Sequence, residues 1–464
     1  LSTTSLAADE TATVTVTFTA GDLGARSATL SIASNDRDEN PFTITLSGIG
    51  IEELPDRIEV PGDSASEPAA TTVAFTDEAV GNYAGLVSDA VSDPVGWFSA
   101  RKIKTSGSFS AKFSVNGVSQ SIKGVFDETT GAFSTVVTNK SGNVFTVTMG
   151  LEESGAGRQI GGTIDVDGDL FTVRATQSSF HKTKNPAPWA GRYTFLFPSD
   201  PNQTDGSIQP LGDGYAKGTI STSGTVKIAG RLGDGTKLSL ATVAGADGSL
   251  QVFRNLYRTN PKGILGGTLS LRDVDNISEI DGTLKWVKFA DTRESRYPTG
   301  FDINQSAIGG FYSAPYRNEQ ILSSLDDSDD NARLTIAKGN VAALPELPFT
   351  WTESNKAIYT RLGTEKLSLK FSAKHGTFSG SYVDKTTGHS IKIAGAVLQP
   401  QQIAAGYFIG DEQTGYVHIS SATSPTIEVK ELLTDTTLND GSATPSISEG
   451  TDFGDAGFEG GSAE

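Results

Sequence analysis

Apolar and polar residues alternate with period two along most of this chain. Val14, Val16 and Phe18 form one such run, Ala28, Leu30 and Ile32 a second, and Phe42, Ile44 and Leu46 a third. A period of two puts every second side chain on one face, so each run predicts a strand with one buried side. The intervening "AGDLGAR" and "SNDRDEN" are rich in Gly, Asn and Asp, residues that suit turns. Three strands cannot bury their shared apolar face alone. Residues 1–50 therefore read as the closing strands of a domain, and 51–80, acidic and rich in Pro, Ser and Ala, as a linker. Because the chain starts at Leu1 and its only methionine is Met149, we expect it to be an excerpt of a longer protein.

The centre repeats weakly. "GNYAG" at Gly81, "GRYTF" at Gly191 and "GGFYS" at Gly309 read as three module starts. Each is followed by a glycine-centred strand pair, beginning at Thr105, Thr222 and Lys374. Asn116-Gly117, Asp167-Gly168 and Asp234-Gly235 each sit between alternating runs and predict two-residue hairpin turns with positive φ. In the first hairpin Phe109, Ala111, Phe113 and Val115 share one face, and Ser108, Ser110, Lys112 and Ser114 the other. The turn spacing predicts roughly eight short strands per module, as in sandwiches and small barrels. The one helical hint is "RNEQILSSL" around Ile321, and proline-bearing junctions precede the second and third modules. The expected fold class is all-β, with modules at 81–190, 191–308 and 309–424 as antiparallel barrels or meanders, and residues 425–464 opening a further domain.

The stretch "GARSATLSIASNDRDENPFTITLSGIG" resembles the closing strands of choice-of-anchor D type immunoglobulin-like domains, relatives of the abnormal-spindle and hydin-like domains of large bacterial surface proteins. The tail, with "SEGTDFGDAGFEGG", is similar to the opening of another copy. The resemblance implies partial immunoglobulin-like sandwiches at both ends, acting as spacers or adhesion modules, and supplies no catalytic residue. The centre, closing on "AGYFIGDEQTGYVHI", resembles glycine-rich β-modules that accompany such repeats in exported proteins.

Charge refines this picture. The net charge of -18 disfavours a nucleic-acid partner, which needs a basic surface that releases counterions from phosphates. Residues 1–80 carry 3 basic against 14 acidic side chains and residues 425–464 carry 1 against 9, so two acidic ends flank a nearly neutral centre. Cysteine is absent, which removes disulfides, thiolate nucleophiles and cysteine-ligated zinc. No apolar run approaches the ~18 residues of a membrane helix.

Candidate chemistry is sparse. The four histidines, His181, His375, His389 and His418, form no HxH or HExxH pair. The acidic run Asp326 to Asn331 suggests calcium, yet an EF-hand frame starting at Asp327 places Ala332 where Gly is needed and Lys338 where a bidentate Glu should close the site, leaving only a loose surface site near Asp326–Asp330. "DVDGD", Asp165 to Asp169, is better explained as a turn. Ser99-Lys102 and Ser179-Lys182 match the SxxK spacing of serine acyl-enzymes, but on strands residues three apart face opposite ways, and no SDN or KTG partner exists. Trp97, Trp189, Trp286 and Trp351 read as core or rim packing before sugar-stacking platforms.

No catalytic, cofactor-binding or metal-binding residue is therefore assigned, and no cofactor is expected. The sequence reads as a non-enzymatic, structural or adhesive segment of an exported, cell-surface protein, with an extracellular glycan or protein as partner and further repeats continuing the chain. Two alternatives stand beside it. One is a carbohydrate-active enzyme or binding module with a cleft in the centre, which paired carboxylates would reveal. The other is an outer-membrane barrel, since alternation alone does not say whether the apolar face meets a core or lipid.

Overall fold

A computed structural model describes residues 72–154, 157–257, 262–274, 278–341, 346–359, 365–384, 390–410 and 412–422, and the backbone of strands β1 (Gly24–Ile32) and β2 (Phe42–Gly50). The first run of alternation, the linker to residue 71, His389 and the tail from 425 lie outside the described residues. The chain divides into two compact units, Leu1–Ala69 and Ala70–Glu464. In the first, β1 and β2 pair antiparallel with Ala28, Leu30 and Ile32 opposite Leu46, Ile44 and Phe42, so the two predicted apolar sets fall in register.

The described residues of the second unit form three antiparallel sheets of eight strands, each curled into a nearly closed barrel. The first comprises β3 (Gly81–Ser88), β4 (Pro94–Ile103), β5 (Ser108–Val115), β6 (Val118–Val125), β7 (Ala132–Thr138), β8 (Val144–Ser154), β9 (Gly157–Val166) and β10 (Asp169–Ser178). The second comprises β11 (Gly191–Phe197), β12 (Gly214–Ile220), β13 (Thr225–Arg231), β14 (Lys237–Val243), β15 (Ser249–Leu256), β16 (Gly263–Val274), β17 (Ser278–Lys288) and β18 (Phe301–Phe311). The third comprises β19 (Ala332–Lys338), β20 (Leu347–Trp351), β21 (Ala357–Ile358), β22 (Glu365–Ser372), β23 (Thr377–Asp384), β24 (Ser390–Leu398), β25 (Ile403–Ile409) and β26 (Thr414–Ser421).

Each barrel is an up-and-down meander closed by pairing of its first strand with its last: β3 with β10, β11 with β18, and β19 with β26. What stays open is a seam, between β6 and β7, β14 and β15, or β21 and β22. Single bridges, Ala244 to Leu250 and Lys356 to Lys370, span the second and third seams. At the first, the Phe133 ring covers Gly124, where a Cβ would meet ring carbon Cε2 at 2.0 Å, so only glycine lets the side chain close the gap. Segment 72–80 packs on the same barrel at β8 and β3: Val73 N donates to Leu151 O at 2.8 Å, and Ala79, in a single 3₁₀ turn (Asp77–Ala79), is buried beneath Tyr83. The end of the stretch read as a linker is thus part of the first barrel's packing.

The alternation resolves as expected at the level of faces. Phe109, Ala111, Phe113 and Val115 point inward, as do their counterparts in every barrel, and fill three separate cores. Eight strands enclose a space that side chains can fill, and here they do. Apolar residues inside and polar residues outside reverse the pattern of a lipid-facing barrel. No helix among the described residues is long and apolar enough to cross a membrane.

Three local readings change. Asn116-Gly117 (φ 47° and 82°) and Asp167-Gly168 (φ 53° and 100°) are two-residue turns with positive φ, but at Asp234-Gly235 only the glycine is left-handed, at 85°. The β13–β14 connection is longer there, with Arg231 pairing Lys237, which turns Asp234 inward. Gly309 and Gly310 belong to the last strand of the second barrel: Tyr193 pairs Phe311 and Phe195 pairs Gly309, so this glycine pair closes one barrel and opens none. Residues 317–325 form turns, with Ile321, Leu322 and Leu325 buried against the third core.

The barrels meet through defined contacts. Between the first and second, Ala246 N donates to Gln177 O at 3.0 Å and Lys285 pairs with Asp93 at 3.0 Å. Between the second and third, Leu196 and Ile308 pack with Ala396, Leu398, Ile403 and Ala405 in a separate apolar cluster. Thr194, fully buried, donates from Oγ1 to Val397 O at 2.6 Å across that junction.

Candidate functional site

Three polar groupings are candidates, and geometry separates them. The first lies inside the second barrel. Asp234 is buried and accepts from Thr236 N and Oγ1, both at 2.8 Å, and from Tyr257 OH at 2.7 Å. Tyr257 OH in turn accepts from Trp286 Nε1 at 3.1 Å, and Lys288 Nζ donates to the carbonyls of Arg296 and Tyr297. Trp286 and Lys288 share a face with Leu284, as their spacing requires, and that face is interior. Burial pushes the Asp234 carboxyl above its ordinary value, and burial with the neighbouring Asp234 pushes Tyr257 up as well. Every one of these groups bonds to another, so the network is a satisfied structural plug.

The second grouping bridges barrels two and three. His418 Nε2 lies 2.6 Å from Asp213 Oδ2, while Asp213 Oδ1 accepts from Ser199 N at 2.8 Å. The His418 ring stacks on Tyr416 with centroids 4.5 Å apart. This histidine and carboxylate fasten two barrels together.

The third grouping lines a cavity of about 370 Å³ on the outside of the second barrel, where the third barrel docks. Alternation on β11, β12 and β13 sends Tyr193, Ala216, Val226 and Ile228 inward and Arg192, Lys217, Thr219 and Lys227 outward. The register places Arg192 opposite Thr219 and Thr219 opposite Lys227, one outward row across three strands. Lys217 lies in the next row, opposite Thr194 and Ala229. Neighbouring strands are ~4.8 Å apart, so the row from Arg192 to Lys227 spans about 10 Å.

The opposite wall comes from the turn between β22 and β23. His375 N and Gly376 N both donate to Ser372 O at 2.9 Å, and His375 Nδ1 sits 3.1 Å from Ser372 Oγ. Gly376 needs its left-handed φ of 64°, and a Cβ there would meet Tyr312 Cε2 at 2.5 Å. Tyr312 joins the walls: its N donates to Arg192 O at 2.7 Å, and its hydroxyl donates to Ala373 O. Burial pushes the Tyr312 hydroxyl up to about 12. Arg192 Nη1 reaches Lys374 O at 3.4 Å.

The result is a cavity lined by Arg192, Lys217, Lys227, Lys374 and His375. No ion pair joins these side chains to a carboxylate among the described residues. Burial first, then the charges of Lys217, Lys374 and Arg192, hold the His375 imidazole below its ordinary value. Such an arrangement suits an anion and offers no paired carboxyls for acid–base hydrolysis.

The residues weighed from sequence lie elsewhere. Asp326 accepts from Ser328 N at 3.0 Å, and buried Asn331 donates to Asp326 O and to Trp351 O, so the acidic run is a loop tied to the third barrel. Among the described residues no group of three or more His, Asp or Glu side chains converges as a metal site would. Ser99 is on β4 and Lys102 near its end at φ 54°, while Ser179 and Lys182 are exposed in the junction after β10. Asp165 and Asp167 cap their hairpin, accepting from Gly168 N and Val144 N at 3.0 Å. His181 is exposed and pairs with Asn185 in a local bridge. Trp286 and Trp351 are core residues, and Trp97 and Trp189 are half-buried. Sequence reasoning misses the basic cavity: of its lining, His375 enters only as one of four unpaired histidines and Lys374 only as the start of a strand pair.

The chain matches no protein-family model and no curated protein.

Proposed function

We propose that this chain is a non-catalytic segment of a large, exported bacterial surface protein. In it, immunoglobulin-like spacers flank a three-barrel unit that presents a binding site to an extracellular glycan or protein. The observation carrying this reading is where the space lies. Packed side chains occupy the three barrel interiors, and the described cavity is on the outside, at the junction of two docked barrels, lined by cations. Strands of the second barrel and a hydrogen-bonded turn of the third hold the lining, as a recognition site requires. Barrels fastened by an apolar cluster and by the Asp213–His418 contact keep that lining in one geometry.

Screening the intact chain on glycan and matrix-protein arrays tests the reading. Retention of a ligand without release of product supports it. Cleavage of an arrayed glycan, lost on removing a carboxylate of the central barrels, would replace it with a carbohydrate-active enzyme.

A further inference from the structure

The cavity between the second and third barrels holds a charge pattern at odds with the rest of the molecule. Residues 81–424 carry 32 acidic and 33 basic side chains, carboxylates enough to neutralise four cations, yet Arg192, Lys217, Lys227 and Lys374 stand around one cavity without an ion pair among the described residues. Like charges gathered on neighbouring strands cost stability. A fold that tolerates this cost keeps a preorganised site for a negative charge, because each cation gains most from an anion that arrives already aligned with several of them. Thr219, midway between Arg192 and Lys227, adds a hydroxyl donor, and His375 Nε2 has no protein partner among the described residues.

Size and surroundings narrow the anion. At about 370 Å³ the cavity is at the small end of ligand pockets, which run from about 300 to 1,000 Å³. It suits a sugar unit or two. An extended polyanion would run beyond the basic walls onto the surface of residues 81–424, where 33 basic and 32 acidic side chains nearly balance, and would gain little there. A nucleic-acid strand is disfavoured for the same reason.

We propose that the cavity takes a compact oxyanion carried by a sugar, the carboxylate or sulfate ester of an acidic monosaccharide unit, held by Arg192, Lys217 and Lys227 with Lys374 and His375 on the facing wall. This identifies the ligand class of the binding segment inferred above and rests on that reading. The site is composite: β11, β12 and β13 supply one wall and the β22–β23 turn of the next barrel supplies the other, so recognition requires the docked pair.

Calorimetric titration of the intact chain with sodium glucuronate, glucose and sodium sulfate tests this, using wild type, Lys217→Glu and Lys227→Glu. Both lysines are exposed on outward strand faces, and an unfolding midpoint no lower than wild type shows that each variant folds. If one does not fold, Lys374→Ala on the exposed turn replaces it. Glucuronate should bind saturably, glucose should not, and sulfate should compete, because the oxyanion is what the cations recognise. Each charge reversal should weaken glucuronate about tenfold or more. Glucuronate binding no tighter than glucose, indifference to both reversals, or no competition by sulfate would overturn the proposal. Array retention that survives both reversals would overturn this assignment and leave the binding-segment reading standing, whereas product release would overturn that reading itself.

Discussion

His418 Nε2 on β26 lies 2.6 Å from Asp213 Oδ2 in the loop before β12, and this contact joins the third barrel to the second. Asp213 is only 3% exposed and His418 20%, so the partners meet out of water. His418→Ala would leave one carboxylate oxygen buried without its partner, at a cost of about 1–3 kcal/mol. The measurement is the urea midpoint, expected to fall. A midpoint equal to wild type would mean that the apolar cluster around Leu196 and Leu398 docks the barrels unaided.

Asp234 predicts a pH dependence of opposite sign to that of ordinary surface carboxylates. Burial raises its folded pKa above the unfolded value of about 3.9. Between those two values the folded state binds more protons, so this residue's contribution to stability falls as pH rises. Asp127, Asp167, Asp205 and Asp326, whose carboxyls are held low mainly by hydrogen bonds, act in the other direction, adding stability above the unfolded value that is lost as pH falls. The difference between wild type and Asp234→Asn isolates the buried group: wild type should lose stability relative to the variant as pH climbs from about 4. Parallel curves would place the Asp234 carboxylate in a solvated site.

His375 gives the cavity a pH response. Its imidazole is held low by burial and by Lys217 on β12, Lys374 beside it and Arg192 on β11, with Ser372 and Tyr312 also close. A bound anion offsets those charges and raises the imidazole pKa, so binding takes up a proton and tightens as pH falls through the histidine range. Glucuronate affinity should rise from pH 7.5 to pH 5.5 in wild type and stay flatter in His375→Gln. The same slope in both would assign the response to another group.

Gly376 ties cavity to fold. Gly376→Ala meets Tyr312 at 2.5 Å and occupies a left-handed φ of 64°, whereas Gly142→Ala, at φ 92°, meets nothing within 4 Å. Both should carry a backbone cost of about 1–2 kcal/mol. Only Gly376→Ala should also weaken glucuronate binding, by displacing the Tyr312 that links Arg192 to the turn. Equal effects on binding would remove Tyr312 from its supporting role.

The strands were legible because alternation records which side of a sheet is buried, and the turns at Asn116-Gly117 and Asp167-Gly168 because a two-residue hairpin needs positive φ at both positions. Asp234-Gly235 carries the same letters in a longer connection, a difference of loop length that the dipeptide does not encode. Gly309 looked like a start because the glycine-aromatic pattern recurs there, but its role is local: a Cβ would meet Phe195 ring carbons at 2.9 Å where β18 closes on β11. The basic cavity left almost no trace. Arg192 and Lys374 are 182 positions apart, and Lys217 and Lys227, each on its own strand, read as ordinary outward residues. Barrel closure and barrel docking bring them together, and neither is a property of any short stretch.

Hydrogen-exchange mass spectrometry of the intact chain with and without saturating glucuronate tests the central claim most directly, since it maps where a ligand is held without presuming the residues. The account predicts added protection over 191–194, 215–229 and 372–376, on both walls of the junction cavity, with the barrel interiors unchanged. Protection centred on another surface, or no change at the junction under saturation, would contradict it.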